Sequence, residues 1–337
     1  MVKVATKKIA EGIVFEPRHS YTHAPDTNEA YDTIIIGAGV AGYAAAMYAS
    51  RLGLKALLIG EVPGGTLALT GRVENYPGFV SIQGQKLTEL LENHAMDYDI
   101  DLLIDIVDEV KKEKNSFKVI TGNKSFSSRT IILATGAQVK KLGIKGEKEF
   151  FGKGVDYCAL CDATHIKGKT VAVAGGGDSA VKEAILVTEY AKKVYIINNE
   201  EELHPEKHNQ MLLDEQIRQG KIEVINNNEI IEITGSDKLE KLILKKEYKE
   251  SKELAVEGLF VYIGRIPNSN LAKKLGVKLN NKGEVVVNQN SETSLKGFYA
   301  AGDVTNTEWK QAIIGVSQGV SAAYHAYNFI KILEAEK

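Results

Sequence analysis

Cysteine is almost absent from this chain. Of 337 residues only Cys158 and Cys161 are thiols, and both fall in the stretch Asp156-Tyr157-Cys158-Ala159-Leu160-Cys161-Asp162. A structural disulfide framework is thereby excluded. Neither sign of charge is in excess: 42 Lys and Arg face 44 Asp and Glu, a formal net charge of -2, which gives no electrostatic case for nucleic acid or an anionic membrane. No apolar run approaches the roughly 18–20 residues a bilayer requires, so no membrane span is expected. The N-terminus carries lysines but no apolar segment of a secretory signal, and the expected compartment is the cytoplasm. In such a reducing compartment a disulfide is more often catalytic or redox-sensing than structural. Proline is scarce, and Pro17 and Pro25 interrupt a polar, irregular stretch of residues 1–30, read as an extension that packs as an arm or stays disordered. The remainder is ordinary: 44% hydrophobic and 26% charged, long enough for two domains with their own cores.

The C-x-x-C spacing lets two sulfurs reach bonding distance across one turn and lowers the pKa of one thiol, so that a thiolate is available near neutral pH. Asp162 is placed to act as general acid or base beside them. A half zinc site, or two ordinary buried thiols, would have the same spacing. His204 and His208 could complete four zinc ligands, but Pro205 interrupts the helix between them and no second C-x-x-C exists.

Two glycine turns flank the dithiol. Thr33-Ile34-Ile35-Ile36 reads as a buried parallel strand, and it leads into Gly37-Ala38-Gly39-Val40-Ala41-Gly42 and then an alanine-rich helix. The first glycine permits the turn, the second lets backbone approach a pyrophosphate, the third lets helix and strand pack closely, and the helix N-terminus attracts the anion. Ala56 to Ile59 reads as the next strand, ending near Glu61, about twenty residues on, where an acid for a ribose is expected. The second turn comes after Thr170-Val171-Ala172-Val173-Ala174 and reads Gly175-Gly176-Gly177-Asp178-Ser179-Ala180, with Ala180 in the third glycine's place and a helix expected from about Val181 to Ala191. A merely structural glycine turn in an α/β repeat is the competing reading of this second site. Two such turns imply an α/β chain with two Rossmann-like dinucleotide-binding domains of the three-layer ββα type.

Further along, an alternating strand pair is expected at Leu239 to Lys245 and Gly258 to Ile263. Gly297-Phe298-Tyr299-Ala300-Ala301-Gly302-Asp303 then returns to the style of the first domain, and Gln311 to Leu333 reads as a closing helix. The second domain is therefore inserted into the first: 31–141 with 266–337, and 142–265, after an extension at 1–30.

The order of these motifs, from the glycine turn through GG-x-L, V-E-N-Y-P-G, A-T-G, C-x-x-C-D and the second glycine turn to G-D, resembles the low-molecular-weight thioredoxin reductases over the whole chain after about residue 30. The glutathione-reductase branch instead carries its cysteines just after the first glycine turn, where residues 40–70 have none. The resemblance implies a homodimeric, FAD-dependent thioredoxin-disulfide reductase. Gly37, Gly39, Ala41 and Gly42 would hold the FAD pyrophosphate and Glu61 its ribose. Gly65, Thr66, Leu67, Asn75, Ala134, Thr135, Gly136, Lys310, Gln311 and Ala312 would lie about the flavin, and Gly302 and Asp303 about its ribityl chain. For Asp303 a helix cap is the simpler alternative. The family usually shows glutamine where Thr66 stands and arginine where Lys310 stands. By the same resemblance Cys161 faces the flavin, Cys158 attacks the disulfide of thioredoxin or a similar small protein, and the domains rotate about hinges near Lys140 to Gly146 and Arg265 to Asn268.

The electron donor is where the chain departs most. NADPH-using relatives carry a histidine and two arginines, then a further arginine, where this chain reads Asn198-Asn199-Glu200-Glu201-Glu202-Leu203-His204. A 2′-phosphate carries about -1.5 to -2 charges, so three glutamates argue against NADPH. NADH remains open, with Gly175, Gly177, Asp178, Ser179 and Ala180 at its pyrophosphate and Glu200 on its ribose. So does a vestigial pocket with electrons arriving from a deazaflavin or ferredoxin. A nonenzymatic zinc-holding or redox-sensing module built on the C-x-x-C is the alternative from another class.

Overall fold

The computed structural model describes residues 8–10, 13–14, 22–23, 25–68, 72–73, 75–157 and 166–336. Internal contacts separate two units, one of Met1–Leu69, Ile82–Ala137 and Pro267–Lys337, the other of Thr70–Ser81 and Gln138–Ile266.

In the N-terminal extension, Lys8–Ala10 pairs antiparallel with Ile13–Val14. Strand β1 (Thr22–His23) then lies at the edge of the first unit's sheet, parallel to Ile100–Asp101. The first βα unit comes next: β2 (Ala30–Ile36), α1 (Val40–Arg51) and β3 (Ala56–Ile59). It is succeeded by α2 (Gly84–Met96) and β4 (Ile100–Leu103), and then by the antiparallel run β5 (Glu109–Lys112), β6 (Phe117–Thr121) and β7 (Lys124–Leu133).

The chain then builds the second unit. Strands β8 (Val155–Asp156), β9 (Thr170–Ala174), β10 (Lys193–Ile197), β11 (Ile222–Ile225) and β15 (Gly258–Val261) form a parallel sheet in the order β8-β15-β9-β10-β11. Helices α3 (Asp178–Val187) and α4 (Lys207–Arg218) connect successive strands. Strands β12 (Ile230–Gly235), β13 (Leu239–Tyr248) and β14 (Ser251–Ala255) make a separate antiparallel sheet. The chain returns to the first unit with β16 (Phe298–Ala300), parallel to β7, and ends in α5 (Ala312–Ala335).

Three expectations from the sequence change here. Leu239 to Lys245 and Gly258 to Ile263 do not pair: β13 lies between β12 and β14, whereas β15 sits inside the parallel sheet between β8 and β9. Alternation reports a two-faced strand, not its partner. The helix expected at Val181–Ala191 runs Asp178–Val187, because it starts directly on the glycine turn, where Val181 N–H already bonds the Gly177 carbonyl at 3.1 Å. The closing helix is Ala312–Ala335, with Gln311 as its N-cap residue.

Period-two burial divides the mixed sheet of the first unit and the parallel sheet of the second each between two cores. In β2, Ile35 faces the core with α1 and α5, while Ile34 and Ile36 join Phe117, Phe126 and Phe298 on the other side. In β9, Val171 and Val173 pack with α3, and Ala172 and Ala174 pack with residues of the antiparallel sheet. Helices α1 and α5 meet through small residues, Ala41, Ala45 and Ala49 against Gly319, Ala322, Ala323 and Ala326. A Cβ at Gly319 would stand 2.2 Å from the Ala41 carbonyl oxygen. Among the described residues no helix is long and apolar enough to cross a membrane.

Gly319→Ala is expected to destabilise the protein by about 1–3 kcal/mol through overpacking of backbone on backbone, read as a lower thermal midpoint. An unchanged midpoint would show that the two helices part without cost.

Candidate functional site

In the first unit the turn Gly37–Gly42 is shaped by two backbone contacts. Gly37 has φ +115, and a Cβ there would lie 2.3 Å from the Ala134 carbonyl oxygen at the end of β7. A Cβ on Gly42 would lie 1.8 Å from the Gly37 carbonyl oxygen. Both positions therefore exclude every side chain. At Gly39 nothing lies within 4 Å of a would-be Cβ, and this residue is the N-cap of α1 without any side-chain cap. Helix N–H groups thus open onto a bare backbone cradle, the requirement for a pyrophosphate at a helix N-terminus.

Other residues singled out from the sequence converge on the same turn. Gly64 N–H donates to the Ala38 carbonyl at 2.8 Å, and the Cβ position of Gly65 is 3.2 Å from Gly39 Cα. Ala134 N–H donates to the Ile36 carbonyl at 2.7 Å. Thr135 and Asn268 clasp each other, Thr135 Oγ1 donating to the Asn268 carbonyl and Asn268 Nδ2 to the Thr135 carbonyl, both at 2.8 Å. The Asn268 N–H also donates to the Gly136 carbonyl at 3.0 Å. Gly302 packs on Ala41, its Cβ position 3.1 Å from the alanine methyl. Gln311 accepts the Gly315 N–H at 3.0 Å, and Gly315 in turn faces Val40 and Gly302. Ala312 opens α5 beside it. Glu61, Thr66 and Leu67 come after β3, with Glu61 and Thr66 exposed. Asn75 falls in the second unit, with residues 70–81.

The segment around Asp303 is fixed by Lys310, singled out from the sequence, and by Gln318, Thr305 and Glu284, which were not. Gln318 Oε1 accepts the Gly302 N–H at 2.8 Å, and Thr305 Oγ1 donates to the Gly302 carbonyl at 2.8 Å. Lys310 Nζ donates to the carbonyls of Asp303 at 3.1 Å and Thr305 at 2.6 Å, and pairs with Glu284 Oε1 at 2.9 Å. Both side chains of that pair are largely buried, 14% and 13% exposed. The three N–H bonds of the Lys310 ammonium are thus spent on protein acceptors. Glu284 is held in turn by Asn280 Nδ2 at 2.7 Å.

The second unit repeats the construction. Gly175 has φ +131, and a Cβ there would lie 2.4 Å from the Tyr262 carbonyl oxygen past the end of β15. Gly177 is the uncapped N-cap of α3, again with nothing near a would-be Cβ. Ser179 and the fully buried Ala180 form the helix's first turn with Asp178. The Asp178 carboxyl accepts the Glu206 N–H at 2.8 Å and Asn209 Nδ2 at 2.6 Å, and pairs with Lys182 at 3.0 Å. Partial burial opposes its ionisation, but these bonds outweigh it and hold its pKa below the usual carboxylate value.

The acidic loop lies beside this turn. Asn198, 2% exposed, donates to the carbonyls of Glu200 at 3.2 Å and Glu202 at 2.8 Å, and His204 N–H donates to the Gly176 carbonyl at 2.8 Å. Glu200 Oε2 pairs with His204 Nε2 at 2.7 Å, both exposed. Glu183 on α3 is a further group missed in the sequence. Burial above all pushes its pKa up, against a hydrogen bond from Tyr262 and the charge of Arg265. A lone glutamate in an amphipathic helix reads as surface, so nothing in the sequence signals it.

Cys158, Cys161 and Asp162 lie outside the described residues, as do His165 and the rest of 158–165. The chain is described up to Tyr157, at the C-terminal end of β8, and again from Ile166.

Residues 31–319 match the family model of the pyridine nucleotide-disulphide oxidoreductases. A thioredoxin reductase of Listeria innocua is 38% identical over 308 residues, covering 90% of this chain and 95% of the relative. One of Bacillus subtilis is 37% identical over 307 residues, covering 90% and 96%. Among solved structures, thioredoxin reductase from Streptococcus pyogenes superposes with a TM-score of 0.80 at 32% identity, over 90% of this chain and 99% of that one. The chain therefore belongs to the pyridine nucleotide-disulphide oxidoreductase family and is similar, along nine-tenths of its length, to thioredoxin reductases of the low-molecular-weight kind.

Proposed function

We propose that this enzyme passes two electrons from a donor through FAD to the Cys158–Cys161 disulfide and on to thioredoxin or a similar small protein, acting as a homodimer in the cytoplasm. The observation that carries the reading is the bare cradle at Gly39, with Gly65, Ala134 and Gly302 drawn onto one turn, in a chain whose relatives, matched over 95% or more of their length, are thioredoxin reductases. The FAD domain lies within residues 31–141 and 266–337 and the domain bearing the dithiol is 142–265, although 70–81 and 138–141 group with the second unit. Gly37, Gly39, Ala41 and Gly42 leave room for a pyrophosphate, and Asp303 would accept from ribityl hydroxyls. FAD, when bound, supplies an isoalloxazine ring that takes up two electrons and releases them to a disulfide.

The residues of the chain do the rest. The Lys310–Glu284 pair and Gln318 hold the 302–305 turn, so that Lys310 acts on Asp303's backbone and not directly on flavin. In thiol exchange the Cys158 thiolate attacks the partner's disulfide and a mixed disulfide forms. The Cys161 thiolate then attacks Cys158 Sγ, which restores the intramolecular disulfide and releases the partner as a dithiol. Asp162 takes up and returns the proton that accompanies the opening and closing of this pair.

For the donor, the reading rests on the acidic loop. The Glu200–His204 pair and the exposed Glu201 and Glu202 flank the second glycine turn, and a 2′-phosphate there meets like charge, screened by salt but unrelieved by any arginine between Asn198 and Glu206. We infer NADH, bound at Gly175, Gly177, Asp178, Ser179 and Ala180 with Glu200 on its ribose, or a donor without nicotinamide.

Three outcomes are expected. In anaerobic mixing, NADPH bleaches the flavin more slowly than NADH or a reduced deazaflavin, and fastest bleaching by NADPH would overturn the reading of the loop. Cys158→Ser and Cys161→Ser each abolish reduction of the thioredoxin disulfide while the flavin still bleaches. Lys310→Met weakens FAD retention by about tenfold or more, one to two charge-assisted hydrogen bonds' worth, whereas Lys310→Arg retains it, measured by FAD release on dilution. Equal retention in Lys310→Met would remove Lys310 from the cofactor's support.

A further inference from the structure

Glu147 is 2% exposed and belongs to neither glycine turn. A buried carboxyl is tolerated when its oxygens are filled, and the donors that fill this one come from two places. Oε1 accepts the Leu142 N–H at 2.9 Å and the Tyr157 hydroxyl at 3.0 Å, and Oε2 accepts the Gly143 N–H at 2.7 Å. The two backbone donors lie in the turn by which the chain enters the second unit. The hydroxyl belongs to the residue directly before Cys158.

Both ends of this bridge are anchored. Lys145 carbonyl accepts the Ile233 N–H at 3.0 Å, and a Cβ on Gly146 would stand 2.1 Å from the Ile233 carbonyl oxygen, so the 142–147 turn is pressed onto β12. At the other end Val155 and Asp156 pair with Leu259 and Phe260 at the sheet edge, and the Phe151 ring lies 5.5 Å from that of Tyr157. The edge strand β8 has only two residues. The Tyr157 hydroxyl carries the order one residue closer to the thiol. Burial first, and then the bond to Glu147, push the Tyr157 pKa up, so the hydroxyl remains a donor through the working pH range.

We propose that Glu147 is a positioning residue for the redox pair: by gripping Tyr157 against the 142–143 turn it fixes the residue that directly precedes Cys158, and thereby sets the reactivity of the dithiol. This rests on the reading of Cys158 and Cys161 as the redox pair. Exchange requires an attacking thiolate with access to, and alignment with, one particular sulfur, so a loosened Tyr157 changes rate and equilibrium without touching the flavin.

The test uses the holoenzyme and the variants Tyr157→Phe and Glu147→Gln. Three quantities are read: the equilibrium of the Cys158–Cys161 couple with dithiothreitol, the rate of alkylation of the reduced pair against pH, and the thermal midpoint. For Tyr157→Phe, which leaves both backbone N–H bonds of Glu147 intact, a shift of roughly two- to tenfold in the equilibrium and alkylation rate is expected, the span of one net hydrogen bond, with the flavin spectrum and midpoint near those of the parent. Glu147→Gln shifts them at least as far, and the double variant goes no further than Glu147→Gln alone. A Tyr157→Phe dithiol indistinguishable from the parent's overturns the proposal, even if Glu147→Gln melts early, because Glu147 then only holds the turn. Should Glu147→Gln fail to fold, Tyr157→Phe decides. If Cys158→Ser in the parent still reduced a protein disulfide, the reading of the redox pair would fall first, and that result is distinct from an unaltered Tyr157→Phe.

Discussion

A single backbone contact recurs in both units and organises each around it. The carbonyl of a neighbouring strand's end, Ala134 in one and Tyr262 in the other, presses on the first glycine of a strand-to-helix turn closely enough to exclude a Cβ. The contact requires the neighbour to be parallel and in register, as β7 is with β2 and β15 with β9. In each sheet the glycine strand lies between the strand that succeeds its own helix and one that enters from later in the chain, β3 and β7 in the first unit, β10 and β15 in the second. That is a topological switch point, where a crevice opens at the carboxyl ends of the strands. The cradle is thus a product of strand order as much as of glycine content.

The range of each interaction decides whether it is legible in the sequence. Strand, turn and helix around Gly37 and Gly175 are local, and they can be read because glycine spacing, apolar run and helix pattern occupy one continuous segment. The partner of Leu239 to Lys245 cannot, because alternation shows which face is buried and not which strand lies alongside. The supports of the site leave no trace either. Asn268 clasps Thr135 across 133 residues, and Gln318 reaches Gly302 across 16, both as side chain to backbone, and no residue pattern encodes a partner that is merely a peptide group. Glu147 is the plainest case: a glutamate within a lysine-rich stretch reads as solvated, yet it is buried and filled by three donors.

Electrostatics differs between the two turns more than geometry does. The first meets small residues and a buried Lys310–Glu284 pair that neutralises itself. The second is bordered by a loop whose asparagine, Asn198, is used up in holding the carbonyls of Glu200 and Glu202, which leaves three carboxylates and one histidine as the chemistry presented to a ligand.

The most direct measurement is an anaerobic reductive titration of the purified yellow protein with dithionite, run beside Cys158→Ser. The parent should consume one disulfide's worth of electrons beyond those that bleach the flavin, and the variant only the flavin's own. Equal consumption by the two proteins would contradict electron transfer from flavin to sulfur in this enzyme.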